Sequence, residues 1–192
     1  MQLASRRTLD IATPLHAAGS GKGPGLLKSA KFEPDSLYLL LSDIGDSLQF
    51  HWGLYLAITA SIGHIFHFIC GPRTGFQWAF QTKKMRENAI PYSVTLLTGV
   101  KIADMDKCLQ VPLANRLANI HNSEYLRSLP AERISCLEWI REALITLDQE
   151  GYIKMVGDVW ELETEAWMQA AENKMCKRRT IINSQFCDLI GR

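Results

Sequence analysis

"FHWGLYLAIT", residues 50–59, is the stretch of sequence on which the fold prediction depends. Its large apolar side chains recur at every second position, and His51 belongs to the set that alternates with them. A period of two over this length predicts a β-strand with one face buried. Gly53 follows His51 on the same face and leaves space beside the imidazole. His51 is therefore either a structural residue or one half of a chemical pair.

Further strands are predicted on both sides of this stretch, and together they indicate an antiparallel meander of four to five strands. Each candidate is an apolar or alternating run, and the two runs at 50–59 and 64–69 are predicted to pair as a hairpin. The other candidate strands are "SLYLLLSD" (36–43), "FQWAFQ" (76–81) and "YSVTLLTGVKIA" (92–103).

From residue 104 onward the hydrophobic period becomes helical. Residues 104–120 predict a helix that Pro112 breaks. The clearest amphipathic helix spans 135–151, and another follows at 159–179, whereas the tail 180–192 has no clear pattern. Strands followed by helices are typical of the α+β class. We therefore expect an α+β domain whose sheet packs against the helix at 135–151, with further helices at the C-terminal end.

The composition indicates one folded domain with an N-terminal arm. The chain has 192 residues, of which 47% are hydrophobic, and this is sufficient for one core. Residues 1–32 are rich in Gly, Ala, Ser and Lys and are interpreted as a flexible arm, and residues 33–192 as a single domain. "GSGKGPG" at 19–25 does not match a phosphate-binding loop, because Gly23 stands where Ser or Thr is required.

The net charge and the cysteines limit which binding partners and which cellular compartment are expected. Net charge is +1, from 21 basic and 20 acidic residues, so nucleic acid and anionic membranes are not expected as partners. The apolar stretch at 55–70 is too short and too polar for a transmembrane segment. The number of cysteines is odd, no two of them form a CxxC pair, and the sequence shows no secretory signal. These features indicate reduced thiols and a cytoplasmic location. These cysteines are at positions 70, 108, 136, 176 and 187.

Cys136 has a local context that favours reactivity. Ser135 and Glu138 form an S-x-x-E capping box, which makes Ser135 the N-cap and Cys136 the first residue of the helix. Free N–H groups and the positive end of the helix dipole favour a thiolate there and are expected to lower the pKa of the thiol. The same N–H groups can stabilise an oxyanion. The alternative for a lone cysteine is a small buried hydrophobic residue.

A cysteine nucleophile requires a base, and that base requires a third group to orient it. His51 is the candidate base, and His64 or His67 on the paired strand is the candidate third group. The two point to opposite faces of a strand, so only one of them can fill this role. The same geometry argues against a metal site formed by these histidines and a cysteine, and no metal is expected.

The residues that carry these features resemble those of a known family. "HWGLYLAITASIGHIFH" (51–67) resembles the "HWALYVG-DG-YVVH" hairpin of the lecithin:retinol acyltransferase-like proteins, in the permuted NlpC-type branch of the papain-like superfamily. "SCLEWIREAL" (135–144) resembles their "NCEHFV" helix start. The chain is also similar to a fungal group with an "HWGLYL…FH…W" segment and a later "C-x-x-W" helix. The resemblance covers residues 36–150.

The resemblance implies a papain-like fold and a Cys–His–His site. Cys136 would be the nucleophile and His51 the general base, and the alignment of "GHIFH" with "GYVVH" selects His67 as the third residue. The implied activity is thiol-dependent acyl transfer or hydrolysis at an amide, ester or thioester carbonyl, without a cofactor. Ser135 departs from the asparagine of the family pattern. A binding or regulatory module that keeps the fold without the chemistry is the alternative.

The expected substrate is a small-molecule or carrier-bound acyl compound, because the sequence shows no membrane anchor. The residues expected to contact it are Trp52, Gly53, Tyr55, Trp78 and Trp139. The acceptor, whether water, amine or alcohol, is left open by the sequence, as is the question of a homodimer.

Overall fold

The computed structural model of the protein describes residues 30–45, 48–85, 89–91 and 93–189. Within these ranges the chain forms a six-stranded sheet and four α-helices, which confirms the α+β class. The strands are β1 (Ser36–Asp43), β2 (Phe50–Ala57), β3 (Gly63–Cys70), β4 (Trp78–Met85), β5 (Leu96–Asp104) and β6 (Thr180–Asn183). The helices are α1 (Lys107–Asn119), α2 (Glu124–Ser128), α3 (Cys136–Gln149) and α4 (Val159–Met175).

The sheet has the order β4-β3-β2-β1-β5-β6. The first four strands form the predicted antiparallel meander, but β5 does not continue it next to β4. Instead β5 pairs antiparallel with the free edge of β1, whose residues 36–41 are buried and gain a partner on both edges. β6, in the tail where no pattern was predicted, adds parallel to β5.

The sheet separates two apolar layers. One face, here called the helical face, carries Leu39, Trp52 and Phe66 and packs against α3 and α4 in the main core. The other, here called the opposite face, carries Tyr38 and Tyr55 with a smaller cluster. The side chains of each strand alternate between these layers, as the period of two predicts.

The helices begin and end near their predicted positions, with one difference. α1 runs through Pro112 instead of breaking there. The proline removes one hydrogen bond to the carbonyl of Cys108, which is exposed, so that water can satisfy this carbonyl. α4 begins with a complete capping box between Asp158 and Glu161. No helix in the described part of the chain combines the length and the apolar character that crossing a membrane requires.

The folded domain begins slightly earlier than predicted. Residues 1–29 of the expected arm lie outside the described residues, but Ala30 donates a backbone hydrogen bond to the carbonyl of Pro91. Phe32 is buried and makes edge contacts with the rings of Tyr38 and Tyr55. The expected boundary at residue 33 is therefore too late by at least three residues, because Phe32 belongs to the core of the opposite face.

Candidate active site

His51 and His67 meet on the opposite face of the sheet. The β2–β3 register pairs Gly53 with His67, so that His51, two residues earlier, is a diagonal neighbour of His67 on the same face. The Nε2 of His51 lies 3.0 Å from the Nδ1 of His67. A Cβ atom on Gly53 would lie 3.3 Å from the Cβ of His67, so glycine leaves room for the second imidazole.

Gln81 extends this pair to a chain of three side chains. It lies on β4 directly opposite His67, and its Oε1 is 2.9 Å from the Nε2 of His67. Because an amide oxygen only accepts, the Nε2–H of His67 donates to it, and its Nδ1 is then an acceptor for the Nε2–H of His51. Gln81 was not predicted from the sequence, because no local pattern determines the β3–β4 register that places it opposite His67.

Both imidazoles are neutral at physiological pH. Burial, together with the smaller effect of the neighbouring His67, lowers the pKa of His51 to about 3. Burial also lowers the pKa of His67, and its hydrogen bond to Gln81 opposes this shift without cancelling it. In the neutral chain of hydrogen bonds the Nδ1 of His51 carries a lone pair. Among the described residues this nitrogen has no hydrogen-bond partner, and it is not sealed from solvent.

Cys136 is the first residue of α3, as predicted. Ser135 is the N-cap and its Oγ accepts a hydrogen bond from the N–H of Glu138 over 3.2 Å. The reciprocal half of the predicted capping box is absent. The carboxylate of Glu138 instead accepts from the hydroxyl of Tyr125 over 2.6 Å and from Arg141 over 2.7 Å. The prediction was therefore correct for the helix start and wrong for the box, because two tertiary partners bind the glutamate.

The Cys136 thiol is less acidic than the helix position alone predicts. Burial raises its pKa, and this effect exceeds the opposing influence of the N–H groups of Trp52, Leu137 and Cys136 itself, which favour the thiolate. The expected net lowering of the pKa is wrong for the free protein. The physical reason is that the helix start lies against the sheet, where the sulfur loses most of its hydration.

The thiol lies against the backbone of β2 beside His51 but not against its ring, because the sulfur packs with the core of the helical face and the two imidazoles lie on the opposite face. The N–H group that faces the sulfur from the sheet belongs to Trp52, the residue immediately after His51. β2 and β3 are paired only from Gly53 onward, so the first residues of β2 lie beyond that ladder where α3 packs against the strand. No hydrogen bond joins the sulfur to either imidazole among the described residues.

The five residues expected to contact substrate do not form a common surface. Trp52 and Trp139 are buried in the core of the helical face, and Tyr55 is buried on the opposite face. Trp78 is half-buried and stacks on Phe68. Gly53 alone among the five lines a cavity with His51, and its volume of about 10 Å³ is enough for roughly one water molecule.

His64 takes no part in the histidine chain. It lies on the helical face and stacks near Phe66, whereas His67 lies on the other side of the sheet, as the strand period predicts. Among the described residues no three His, Cys, Asp or Glu side chains are placed to hold a metal ion. All five cysteines are free thiols.

Comparison with models of protein families identifies the family of this chain. The model of a family of unknown function, DUF6540, matches residues 37–154, which is more than half of the chain. The chain belongs to the DUF6540 family. The matched segment contains β1 from its second residue onward, β2 to β5 and α1 to α3, and with them His51, His67, Gln81 and Cys136. Neither a curated protein nor a solved structure matches the chain significantly.

Proposed function

We propose that this protein is a thiol-dependent acyltransferase or hydrolase in which Cys136 attacks an amide, ester or thioester carbonyl. One observation carries the proposal: the chain from Gln81 through His67 to His51 leaves a free lone pair on the Nδ1 of His51. The sulfur of Cys136 lies against the N–H of the next residue, Trp52. A thiol nucleophile, a base and an orienting group are the minimum set for this chemistry.

The protonation states suggest how the first step proceeds. Since burial raises the pKa of Cys136 and lowers that of His51, the resting pair is a neutral thiol and a neutral imidazole. We infer that the thiol proton moves to the Nδ1 of His51 as the sulfur–carbon bond forms. The resulting imidazolium keeps its Nε2–H directed at the Nδ1 of His67, and the Nε2–H of His67 continues to donate to the Oε1 of Gln81. This arrangement stabilises the charge and fixes the ring.

The later steps follow from the same groups. The carbonyl π-electrons move to the oxygen, and the N–H groups at the start of α3 carry the partial positive charge that an oxyanion requires. His51 then returns its proton to the leaving amine, alcohol or thiol, which departs with the electron pair of its bond to carbon. Water or a second nucleophile then attacks the acyl-enzyme and loses its proton to His51. The acyl–sulfur bond breaks, and His51 returns the proton to the sulfur to regenerate the Cys136 thiol.

The resemblance to the lecithin:retinol acyltransferase-like proteins supports the same assignment, since it selects the same three residues. We propose a small-molecule or carrier-bound acyl substrate, with no cofactor, in a reducing cytoplasmic setting where the free cysteines stay reduced. A homodimer would be compatible with this chemistry.

A binding module with the same fold is the second candidate. It is favoured by the raised pKa of Cys136 and by the lack of a hydrogen bond between its sulfur and His51 in the described residues. Such a protein would bind acyl compounds without forming a covalent intermediate.

Intact-mass spectrometry after incubation with a panel of acyl-thioesters and activated esters separates the two candidates. The proposed enzyme gains one acyl group on Cys136, located by peptide mapping, and releases it over time. The Cys136→Ser variant is expected not to form the thioester, whereas Cys176→Ser, which changes an exposed thiol, behaves as the native chain. Acylation confined to the exposed thiols of Cys108 and Cys176 contradicts the proposal, as does binding without any covalent adduct.

A further inference from the structure

A large groove lies along α4, apart from the histidine chain, and all its lining residues except Leu48 lie outside the segment that the family model matches. Its volume is about 890 Å³, and its lining residues extend from Asp158 to Met175, the full length of the helix. At 1.5 Å per residue, a helix of 17 residues is roughly 25 Å long. The groove is therefore an extended channel that matches another helix in length.

The floor of this groove is apolar and unusually exposed for a folded protein. Trp160 is 55% exposed, Met168 61% and Met175 71%, and the half-buried Phe186 lies beside them. An exposed patch of large apolar side chains generally marks an interaction surface. Flexible methionine side chains adapt to the shape of an apolar partner helix.

The rim of the groove is acidic, and in the described part of the chain only one of its carboxylates is paired with a cation. Four of its lining residues are carboxylates, and none of the lining residues is basic. Glu172 forms an ion pair with Arg178. Asp158, Glu161 and Glu165 accept hydrogen bonds from neutral N–H or hydroxyl donors, and in the described part of the chain no ion pair neutralises them.

We propose that this groove binds a cationic amphipathic helix of a partner protein. The partner's apolar face would cover Met168 and Met175, and its lysine or arginine side chains would pair with Asp158, Glu161 and Glu165. The charge pattern selects this occupant, because a carboxylate rim repels the phosphates of nucleic acid and of anionic lipid surfaces. Apolar anchors provide affinity, and the charges provide orientation and selectivity.

The probe is a dye-labelled 18-residue peptide with leucine at helical spacing and lysine at the other positions, and binding to the full chain is measured by fluorescence anisotropy. Two matched probes carry glutamate in place of lysine, or the same residues in scrambled order. We expect saturable binding of the lysine probe, weakening as salt rises, and at least about tenfold weaker binding of the other two.

Met168→Lys places a cation on the groove floor and is expected to lower the affinity for the lysine probe about tenfold or more. The matched control is Val111→Lys on α1, a residue 68% exposed, and it should leave the affinity within about twofold. Equal binding of the lysine and glutamate probes, or equal binding by Met168→Lys, overturns the proposal.

Two further results would assign the groove to a different occupant and also overturn the proposal. One is concentration-dependent dimerisation in sedimentation that Met168→Lys abolishes, which would make the groove an interface between copies of the chain. The other is a zero-length crosslink between Glu165 and Lys22 or Lys28 within one chain, which would make residues 1–29 the occupant.

Discussion

The Nε2–H of His67 donates to the Oε1 of Gln81 over 2.9 Å, and this one bond determines which nitrogen of His51 is free. Because the ring proton of neutral His67 is on its Nε2, its Nδ1 can only accept a hydrogen bond. The Nε2–H of His51 must therefore donate to this Nδ1 over 3.0 Å. The basic lone pair is then on the Nδ1 of His51. Gln81 thus acts on the proposed reaction through two intervening rings without touching the substrate.

Replacement of Gln81 tests this relay. Gln81→Leu removes the acceptor for His67, so the two imidazoles are no longer confined to one pair of tautomers, and we expect acylation of Cys136 to slow about tenfold. The ¹⁵N chemical shifts of His67 should show a mixture of tautomers in the variant and one tautomer in the native chain. Gln77→Leu makes the same change at an exposed position and is the matched control. An unchanged tautomer in Gln81→Leu would contradict the relay.

Removal of the proposed base should have a larger effect. His51→Ala deletes the proton acceptor, and acyl-enzyme formation at pH 7 is expected to fall about 100-fold in a stopped-flow assay with a thioester. The residual rate should rise with pH as the thiol ionises by itself. His64→Ala removes a histidine on the helical face and should retain the native rate. Equal loss in both variants would indicate damage to the fold instead of loss of a base.

The buried histidines also predict how stability depends on pH. The pKa values of His51 and His67 in the folded protein lie below the ordinary value of 6.5, so the unfolded chain binds more protons between these values. The contribution of the two histidines to the free energy of unfolding is therefore fully present above pH 6.5, and it is lost as the pH decreases towards 3. One such group contributes a slope of at most about 1.4 kcal/mol per pH unit.

Urea unfolding at pH values from 4 to 8 measures this slope. His51→Asn should be less sensitive to pH than the native chain between pH 6 and 4, because one neutral imidazole no longer has to be protonated on unfolding. Parallel curves for the two proteins would show that His51 does not titrate differently in the folded and unfolded states.

Gly63 provides a test of the packing beneath the histidine chain. A Cβ atom at this position would collide with the carbonyl oxygen of Leu56 and lie 2.5 Å from the Cζ of Tyr55. Because backbone and a buried ring cannot move aside easily, Gly63→Ala is expected to lower the free energy of unfolding by about 3 kcal/mol. At Gly99 the nearest atom is the flexible end of Ile181 at 2.8 Å, so Gly99→Ala should cost clearly less. Chemical denaturation of both variants compares them, and equal losses would contradict the argument.

The strands and helices could be predicted from the sequence because their signals are local. The period of two in 50–59 and the cap at Ser135 depend on neighbouring residues, and the structure reproduces both. The pairing of β5 with β1 and the addition of β6 depend on which edge of the sheet each strand joins. No local sequence pattern determines this. "TIIN" at 180–183 becomes a strand only because β5 offers an edge.

The candidate site was predictable to a similar extent. The predicted hairpin placed His51 next to the strand that carries His64 and His67, and strand geometry allowed only one of these two to face it. The family resemblance, and not the local pattern, selected His67. Gln81 required the register of a third strand. The pKa of Cys136 depends on how deeply the start of α3 lies against β2, and this is a property of tertiary packing that helix position alone does not determine.

The parallel addition of β6 has a consequence for synthesis on the ribosome. The chain between β5 and β6 passes through all four helices, so a nascent chain completes β5 long before residues 180–183 are translated. Until then the outer edge of β5 offers unpaired N–H and C=O groups to any other extended chain. We expect pausing of translation between α3 and β6 to promote aggregation, and chaperones that cover strand edges to act on this protein during that interval.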